Sequence, residues 1–421
     1  MLELYFHIQG TSSPPNNIQQ ILQVPPDSST ALSAMPSSSL ATEDARYRAS
    51  SQHRLWSMST SALAAKRREN NATAREQISS RRQQIWEYEN KPLAQRTLDF
   101  LTPEDELKLV NFNTNELLRA GAHLEFPIEV LATGAILFRR FYVTNSIMTY
   151  PPTQILKTAL FFAAKVELGF DKVARRFEQL PKTSVEEVIA GEYVLAMANK
   201  FAYDVRHPFR ALEGAILELR RLGGPDITEK KLNHVRRKTR DLLKFSPLIT
   251  DAYFHYTPSQ IMLAALSIID RELSERLLNS LFQPPSNEDA PSGTSTPLSG
   301  GSTPLPVAAF AAQMRDRVMG TIEACREMLK TQPLEHGHYW HTGPGSAETK
   351  PLRRKLKSCH DPDRWDLLRL QRMRREQPAK VAGEKDKAGG EDDPFGEAGP
   401  EAKRRKVKKE EEEDPFGPAL G

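Results

Sequence analysis

The sequence predicts an all-α protein made of two consecutive helical bundles with further helices on either side. Three observations carry this. Apolar residues recur at intervals of three or four from about residue 103 to residue 330, the spacing that puts them on one face of a helix. No segment sustains the period-two alternation of a half-buried strand. Prolines and threonines mark helix starts at helix-length intervals, and Gly223-Gly224-Pro225 separates two such groups.

Taken in order, residues 1–45 are rich in Ser, Pro, Gln and Asn and hold too few apolar groups to offset the entropy of ordering them, so a disordered extension is expected. Residues 46–100 form a polar, Ala-rich helical segment. Its few large apolar residues, Leu55, Trp56, Leu63, Ile85 and Trp86, would pin it to a larger body but hold no core of their own.

The first bundle, residues 101–224, opens at Thr102-Pro103-Glu104-Asp105, an N-cap, a first-turn proline and first-turn acids. Leu107, Val110, Leu117 and Leu118 share the first stripe. Pro127 opens a helix carrying Ile128, Leu131, Ala132, Ala135, Phe138 and Tyr142. Pro151-Pro152 opens the next, with Ile155, Ala159, Phe162, Ala163 and Val166. Their facing sides are rich in alanine, so the backbones can approach closely. A fourth helix follows from Val185, Val188, Ile189, Leu195 and Ala196, and a fifth from His207-Pro208 with Phe209, Leu212, Ile216 and Leu219.

The second bundle, residues 225–330, starts with a long helix through Leu232, Val235, Leu242, Ile249 and Tyr253. Thr257-Pro258 caps another bearing Ile261, Ala264, Ala265 and Ile268, and Leu277, Leu278 and Leu281 suggest a short third. A Pro/Gly/Ser/Thr insert at 283–306 repeats STPL and reads as a disordered loop. Helical spacing resumes with Phe310, Met314, Val318, Ile322, Cys325 and Leu329. In 331–421 a helix is expected near 350–375, followed by a flexible basic and acidic tail.

Composition narrows the function classes. With 421 residues, 39% hydrophobic and 27% charged, the chain is ordinary for a soluble protein of two or three domains. The net charge of +4 creates no global field for nucleic acid. Two cysteines, Cys325 and Cys359, build no disulfide framework, which points to a reducing compartment. No apolar run reaches membrane-helix length, and MLELYFHIQG lacks the order of a signal peptide.

No catalytic constellation is present. Glycine-rich phosphate cradles, the H-R-D loop and the G-x-S-x-G elbow are all missing. Asp393-Pro394-Phe395-Gly396 and Asp414-Pro415-Phe416-Gly417 resemble a kinase D-F-G only superficially, because proline intervenes. His336, His338 and His341 fit no common zinc spacing and have no accompanying cysteine pair, so no metal and no cofactor is expected.

Two charges stand on apolar faces. Glu192 lies four residues after Val188 and three before Leu195, and Lys165 follows Phe161 and Phe162 by four and three. A lone buried charge is costly, so each needs a partner. They either pair with each other and lock two helices together, snorkel outward, or stand together at a groove edge and offer a charge pair to an incoming protein.

The segments RRFYVTNS and FFAAKVE, with YRASSQHRLWSMS, FLTPEDEL, DVRHPFRALEGAILEL and LITDAYFHYTPSQIMLAAL around them, resemble the cyclin family over roughly residues 47–330, closest to its cyclin H members. The resemblance implies two tandem five-helix cyclin boxes with flanking terminal helices. It implies a regulatory subunit with no catalytic residue of its own, which binds and activates a cyclin-dependent kinase. It also implies a RING-finger assembly subunit and general transcription factor IIH as partners, action on the RNA polymerase II C-terminal domain and on other cyclin-dependent kinases, and no direct contact with nucleic acid or membrane. In that family a lysine and a glutamate hold the kinase together; Lys165 in AAKVE and Glu192 in AGEYVLAMANKF match them, with Leu195, Ala196 and Tyr203 as apolar contacts. The segment from Glu192 to Asp204 is longer than in cell-cycle cyclins, and their M-R-A-I-L substrate-docking motif is absent from ELKLVNF. Lys403, Arg404, Arg405, Lys406, Lys408 and Lys409 form a basic run expected to direct the protein to the nucleus. The competing resemblance is to the cyclin-fold core of general transcription factor B, which binds DNA and the TATA-binding protein; a zinc ribbon should precede such a core, and the first 324 residues hold no cysteine.

Overall fold

The structure, a computed structural model, describes residues 43–92, 96–168, 170–177, 179, 183–225, 227–282, 307–333 and 336–374. The tail run at 403–409, both Asp-Pro-Phe-Gly segments and the insert at 283–306 lie outside them. Residues up to Leu370 belong to one unit; of the second, Gln371–Gly421, only 371–374 are described, and they are helical.

Among the described residues every regular element is a helix. The N-terminal segment comprises α1 (Glu43–Ala49), α2 (Ser51–Trp56) and the long α3 (Thr60–Tyr88). The first bundle follows as α4 (Pro103–His123), α5 (Ile128–Thr144), α6 (Pro152–Leu168), α7 (Phe170–Phe177), α8 (Val185–Ala190), α9 (Glu192–Ala198) and α10 (Phe209–Leu222). The second holds α11 (Glu229–Leu243), α12 (Ser246–Ile249), α13 (Ala252–His255), α14 (Pro258–Ile269), α15 (Arg271–Phe282) and α16 (Val307–Lys330). Beyond it come α17 (His336–His341) and α18 (Pro344–Cys359).

The helix starts obey local chemistry. Thr102 caps α4 and Thr257 caps α14, each closing a capping box, with Asp105 and Gln260 as the reciprocal side chains. At the heart of the first bundle α5 and α6 lie against each other, and Ala132, Ala135, Ala159, Ala163 and Ala164 are buried. At Gly134 the approach is closest: an added Cβ would sit 3.3 Å from the Leu160 backbone.

Three predicted helices are divided. The fourth breaks at Gly191, where a Cβ would stand 2.5 Å from Thr158 Oγ1. The Thr158 hydroxyl donates to the Val188 carbonyl at 2.8 Å, so α6 and this break are held in contact. The long helix expected through Tyr253 is α11, α12 and α13, because Pro247 cannot continue a helix and disfavours helical geometry just before it. Leu248, Ile249 and Tyr253 still turn inward, which is why the apolar spacing looked continuous. The helix expected near 350–375 ends at Cys359 and resumes at residue 367, with Pro362 between. Two helices, α7 and α17, were missed; in α7 Val173 and Phe177 are buried, and α17 is six residues long.

The N-terminal segment ties both bundles together. Trp56 and Leu63 pack with Val143 of α5 and Phe254 of α13, while Leu55 is 37% exposed. Arg67 grips Asp251 through two bonds of 2.7 and 2.8 Å, and Arg139 of α5 binds the same carboxylate at 2.8 Å. Asn111 takes another Arg139 nitrogen at 2.6 Å. Burial pushes the Asp251 carboxyl up, but the bond from Arg67 and the charges of Arg139 and Arg67 outweigh it and hold it well below the usual range. Burial in turn brings Arg139 down to about 10, opposed by Asp251. Further along α3, Asn71 donates to the Leu101 carbonyl at 2.9 Å and to Glu106 at 3.0 Å. Ser146 also donates to Glu106, and burial pushes that carboxyl up to about 7 despite both bonds.

Candidate functional site

The two charges singled out in the sequence meet. Lys165, in the last turn of α6, donates to Glu192, the first residue of α9, at 2.6 Å across a separation of 27 residues. The break at Gly191 positions this contact, because it lets α9 begin at Glu192 directly beside α6. The Lys165 ammonium rests over the rings of Phe162 at 5.2 Å and Phe161 at 5.9 Å. Side-chain exposure is 29% for Lys165 and 22% for Glu192, so neither charge is sealed. Lysine has three donors and a carboxylate about four acceptor sites, so one bond between them leaves capacity on both for a partner.

Around the pair lies apolar surface. Phe162 meets Tyr203 at 4.6 Å between ring centres, and burial, then the charge of Glu192, raises the Tyr203 hydroxyl. Ala196 is half-buried one turn from Glu192. Leu195 departs from its expected role as a contact: it is only 1% exposed and belongs to the core, because a helix phased from Glu192 turns residue 195 inward with Val194. The apolar groups that α9 does present are Tyr193, 55% exposed, and Met197, 51% exposed, with Phe201 beyond them at 61%. Sequence reasoning missed these three. Their signal was an apolar pair at 193 and 197, one helical turn apart and out of phase with Val188 and Leu195.

The turn after α9 is built to display Phe201. Asn199, fully buried, donates to the carbonyls of Leu137 and Leu195 and pins the helix end to α5. Lys200 and Phe201 both adopt φ +54°, the left-handed region that non-glycine residues rarely visit. The Phe201 amide bonds to the Ala196 carbonyl and the Lys200 amide to that of Met197, a Schellman closure that offsets the strain.

Support for this turn comes from the N-terminal segment. Trp56 lies between the cations of Arg140 at 5.2 Å and Lys200 at 5.4 Å, Arg140 donates to the Ala202 carbonyl, and Gln52 accepts from the Arg206 amide at 2.6 Å. Lys165, Glu192 and Tyr203 meet around Phe162, and α9 and the turn after it leave Tyr193, Met197 and Phe201 exposed. Chemically the face can bind and orient a protein surface. Among the described residues no group of three or more His, Cys, Asp or Glu side chains is placed to hold a metal; His341 instead meets Arg119 at 3.1 Å.

Comparison with known proteins agrees with this architecture. Residues 207–330 match the family model of the cyclin C-terminal domain. Cyclin CCL1 of Saccharomyces cerevisiae is 36% identical over 254 residues, spanning 58% of this chain and 63% of that protein, less than two thirds of its length. A putative cyclin-H of Dictyostelium discoideum is 26% identical over 230 residues, 53% of this chain and 75% of that protein. Among solved structures, a chain in the CAK complex from Chaetomium thermophilum bound to ATP-gamma-S aligns with a TM-score of 0.67 and 45% identity, over 85% of this chain and 100% of that one. With two successive helical bundles and these relatives, the chain belongs to the cyclin family, in its cyclin H branch.

Proposed function

We propose that the chain is a non-catalytic regulatory subunit that binds and activates a cyclin-dependent kinase through the face built on Lys165 and Glu192. The observation that carries this reading is the half-exposed 2.6 Å pair set in a ridge of outward-facing Tyr193, Met197 and Phe201. An aromatic and methionine surface around charges with spare hydrogen-bonding capacity is the composition of a protein interface centre. A kinase is competent only when its Lys–Glu ion pair is formed, which depends on the position of its regulatory helix. A rigid surface with higher affinity for the inward position shifts that equilibrium by the difference in affinity.

The similarity to a chain of the CAK complex supports a kinase module; a RING-finger assembly subunit and general transcription factor IIH are the further partners that the cyclin H resemblance implies. The corresponding targets are the RNA polymerase II C-terminal domain and other cyclin-dependent kinases, and the corresponding place is the nucleus, reached through Lys403–Lys409. Co-purification with the candidate kinase, followed by assay on a C-terminal-domain peptide, tests this. Lys165→Ala/Glu192→Ala and Tyr193→Ala/Met197→Ala should each weaken binding at least tenfold while helicity is kept. Undiminished binding by both double variants would place the interface elsewhere.

A further inference from the structure

A second surface, away from the Lys165–Glu192 face, is unusual in charge. Between Glu229 and Lys244 seven lysines and arginines accompany two carboxylates, so this segment carries +5 against +4 for the whole chain. The carboxylates in and around α11 are already taken. Arg220 holds Glu229 at 2.5 Å, Arg236 and Arg240 share Glu213 at 2.8 and 3.3 Å, Lys231 reaches Asp270 at 3.3 Å, and Lys244 reaches Asp241 at 3.2 Å.

Lys230, Arg237 and Lys238 are left exposed, with no carboxylate partner among the described residues. The buried side of α11 is Leu232, Val235, Thr239, Leu242 and Leu243, so these three cations project from the opposite side, with His234 among them. The arrangement runs against local stability. Lys230 stands in the first turn, where the helix dipole disfavours a cation, and the acid of that turn, Glu229, is held by Arg220. A local rule broken without an internal compensation points to use.

We infer that the outer face of α11 binds phosphorylated serine or threonine peptide. From Lys230 to Arg237 the helix rises about 10 Å, the reach of about three residues of extended chain. Two phosphoserines three residues apart would therefore lie over the two ends of the row, one against the guanidinium fork of Arg237 and Lys238, the other against Lys230. A phosphate carries nearly two negative charges and three strong acceptors, which suits both cation types. Three unpaired cations over so short a span are too few for a nucleic-acid duplex, whose binding draws on about six to ten phosphate contacts. The source of the peptide, though not the binding itself, rests on the proposed function: an attached kinase would generate such products.

The test uses the full chain and a fluorescent peptide with two phosphoserines three residues apart, read by anisotropy at two salt concentrations. Unphosphorylated and glutamate-substituted versions of the peptide and a single-stranded oligonucleotide serve as comparators. Binding should be specific to the phosphopeptide, weaken as salt rises, and fall at least tenfold in Lys230→Ala/Arg237→Ala/Lys238→Ala, whose exposed substitutions leave the fold intact. Equal binding by the triple variant, tighter binding of the oligonucleotide, or equal binding of the glutamate peptide would each overturn the inference. Kinase co-purification by the same variant separates the two readings: it should be unchanged, and its loss would make α11 part of the kinase interface and overturn the phosphopeptide assignment.

Discussion

Two ion pairs of similar chemistry do different work in this molecule, and the number of hydrogen bonds on the carboxylate separates them. The clamp of Arg67 and Arg139 on Asp251 joins three segments; Arg139 is 2% exposed, Arg67 18% and Asp251 19%, and the carboxylate receives three bonds at 2.7–2.8 Å. The pair of Lys165 and Glu192 shares one bond of 2.6 Å and keeps 29% and 22% of its side chains in solvent. A carboxylate held by three bonds from two arginines specifies how the chain packs on itself; a pair that shares a single bond keeps capacity for another chain. Hydrogen-bond capacity left over, more than the distance between charges, distinguishes the proposed interface from the clamp.

The largest way to break this contrast is Asp251→Ala. It strands Arg139 without its counter-charge and should cost about 3–5 kcal/mol in urea unfolding. Should the loss be below about 1 kcal/mol, the clamp would be no more structural than the exposed pair. Trp56→Ala comes next, at about 3 kcal/mol for an almost fully buried ring. It should also lower kinase binding, because the ring supports Lys200 and the turn bearing Phe201. Hydrogen exchange should then rise at residues 199–206, and unchanged protection there would disconnect the N-terminal segment from the face.

A third measurement uses Glu106, buried beside the clamp, whose carboxyl is raised from 4.5 to about 7. A raised folded value means that the stabilising, protonated form is complete below about 4.5 and is lost as pH climbs through about 7. Stability should therefore fall by roughly 1–3 kcal/mol across that window, and Glu106→Gln should flatten the fall. The same slope in the variant would assign it to other groups. The smallest effect on stability belongs to Lys165→Ala and Glu192→Ala, at about 0–1 kcal/mol for a half-exposed pair, paired with the largest effect on partner binding. A destabilisation above about 2 kcal/mol would make the pair an internal clamp after all.

The sequence disclosed most of what is periodic. Helix positions, the Gly-Gly-Pro divide and the meeting of Lys165 with Glu192 followed from spacing and from the cost of a lone charge on an apolar face. What it concealed depends on phase and backbone geometry. Leu195 was expected as a contact only through the family resemblance; its spacing from Val188 already placed it on the apolar stripe, and it is buried there. Phe201 was invisible because its exposure comes from two successive left-handed residues, which no propensity for Lys or Phe predicts. Apolar spacing also ran straight across Pro247, since successive short helices faced one core.

The clamp also bears on the chain's own synthesis. Arg67 precedes Asp251 by 184 residues, and Gln52 precedes Arg206 by 154. Contacts so distant in sequence are slow to close and form late. At about 5–20 residues per second, α3 emerges from the ribosome many seconds before the carboxylate that will neutralise Arg67 exists. During that interval Arg67 lacks its counter-charge although Asn71 can already reach Leu101 and Glu106, and the turn that displays Phe201 is finished before α13 has been made. A first bundle halted at residue 222 would thus lack Asp251 and Phe254, and its N-terminal helices would have only half of their seat.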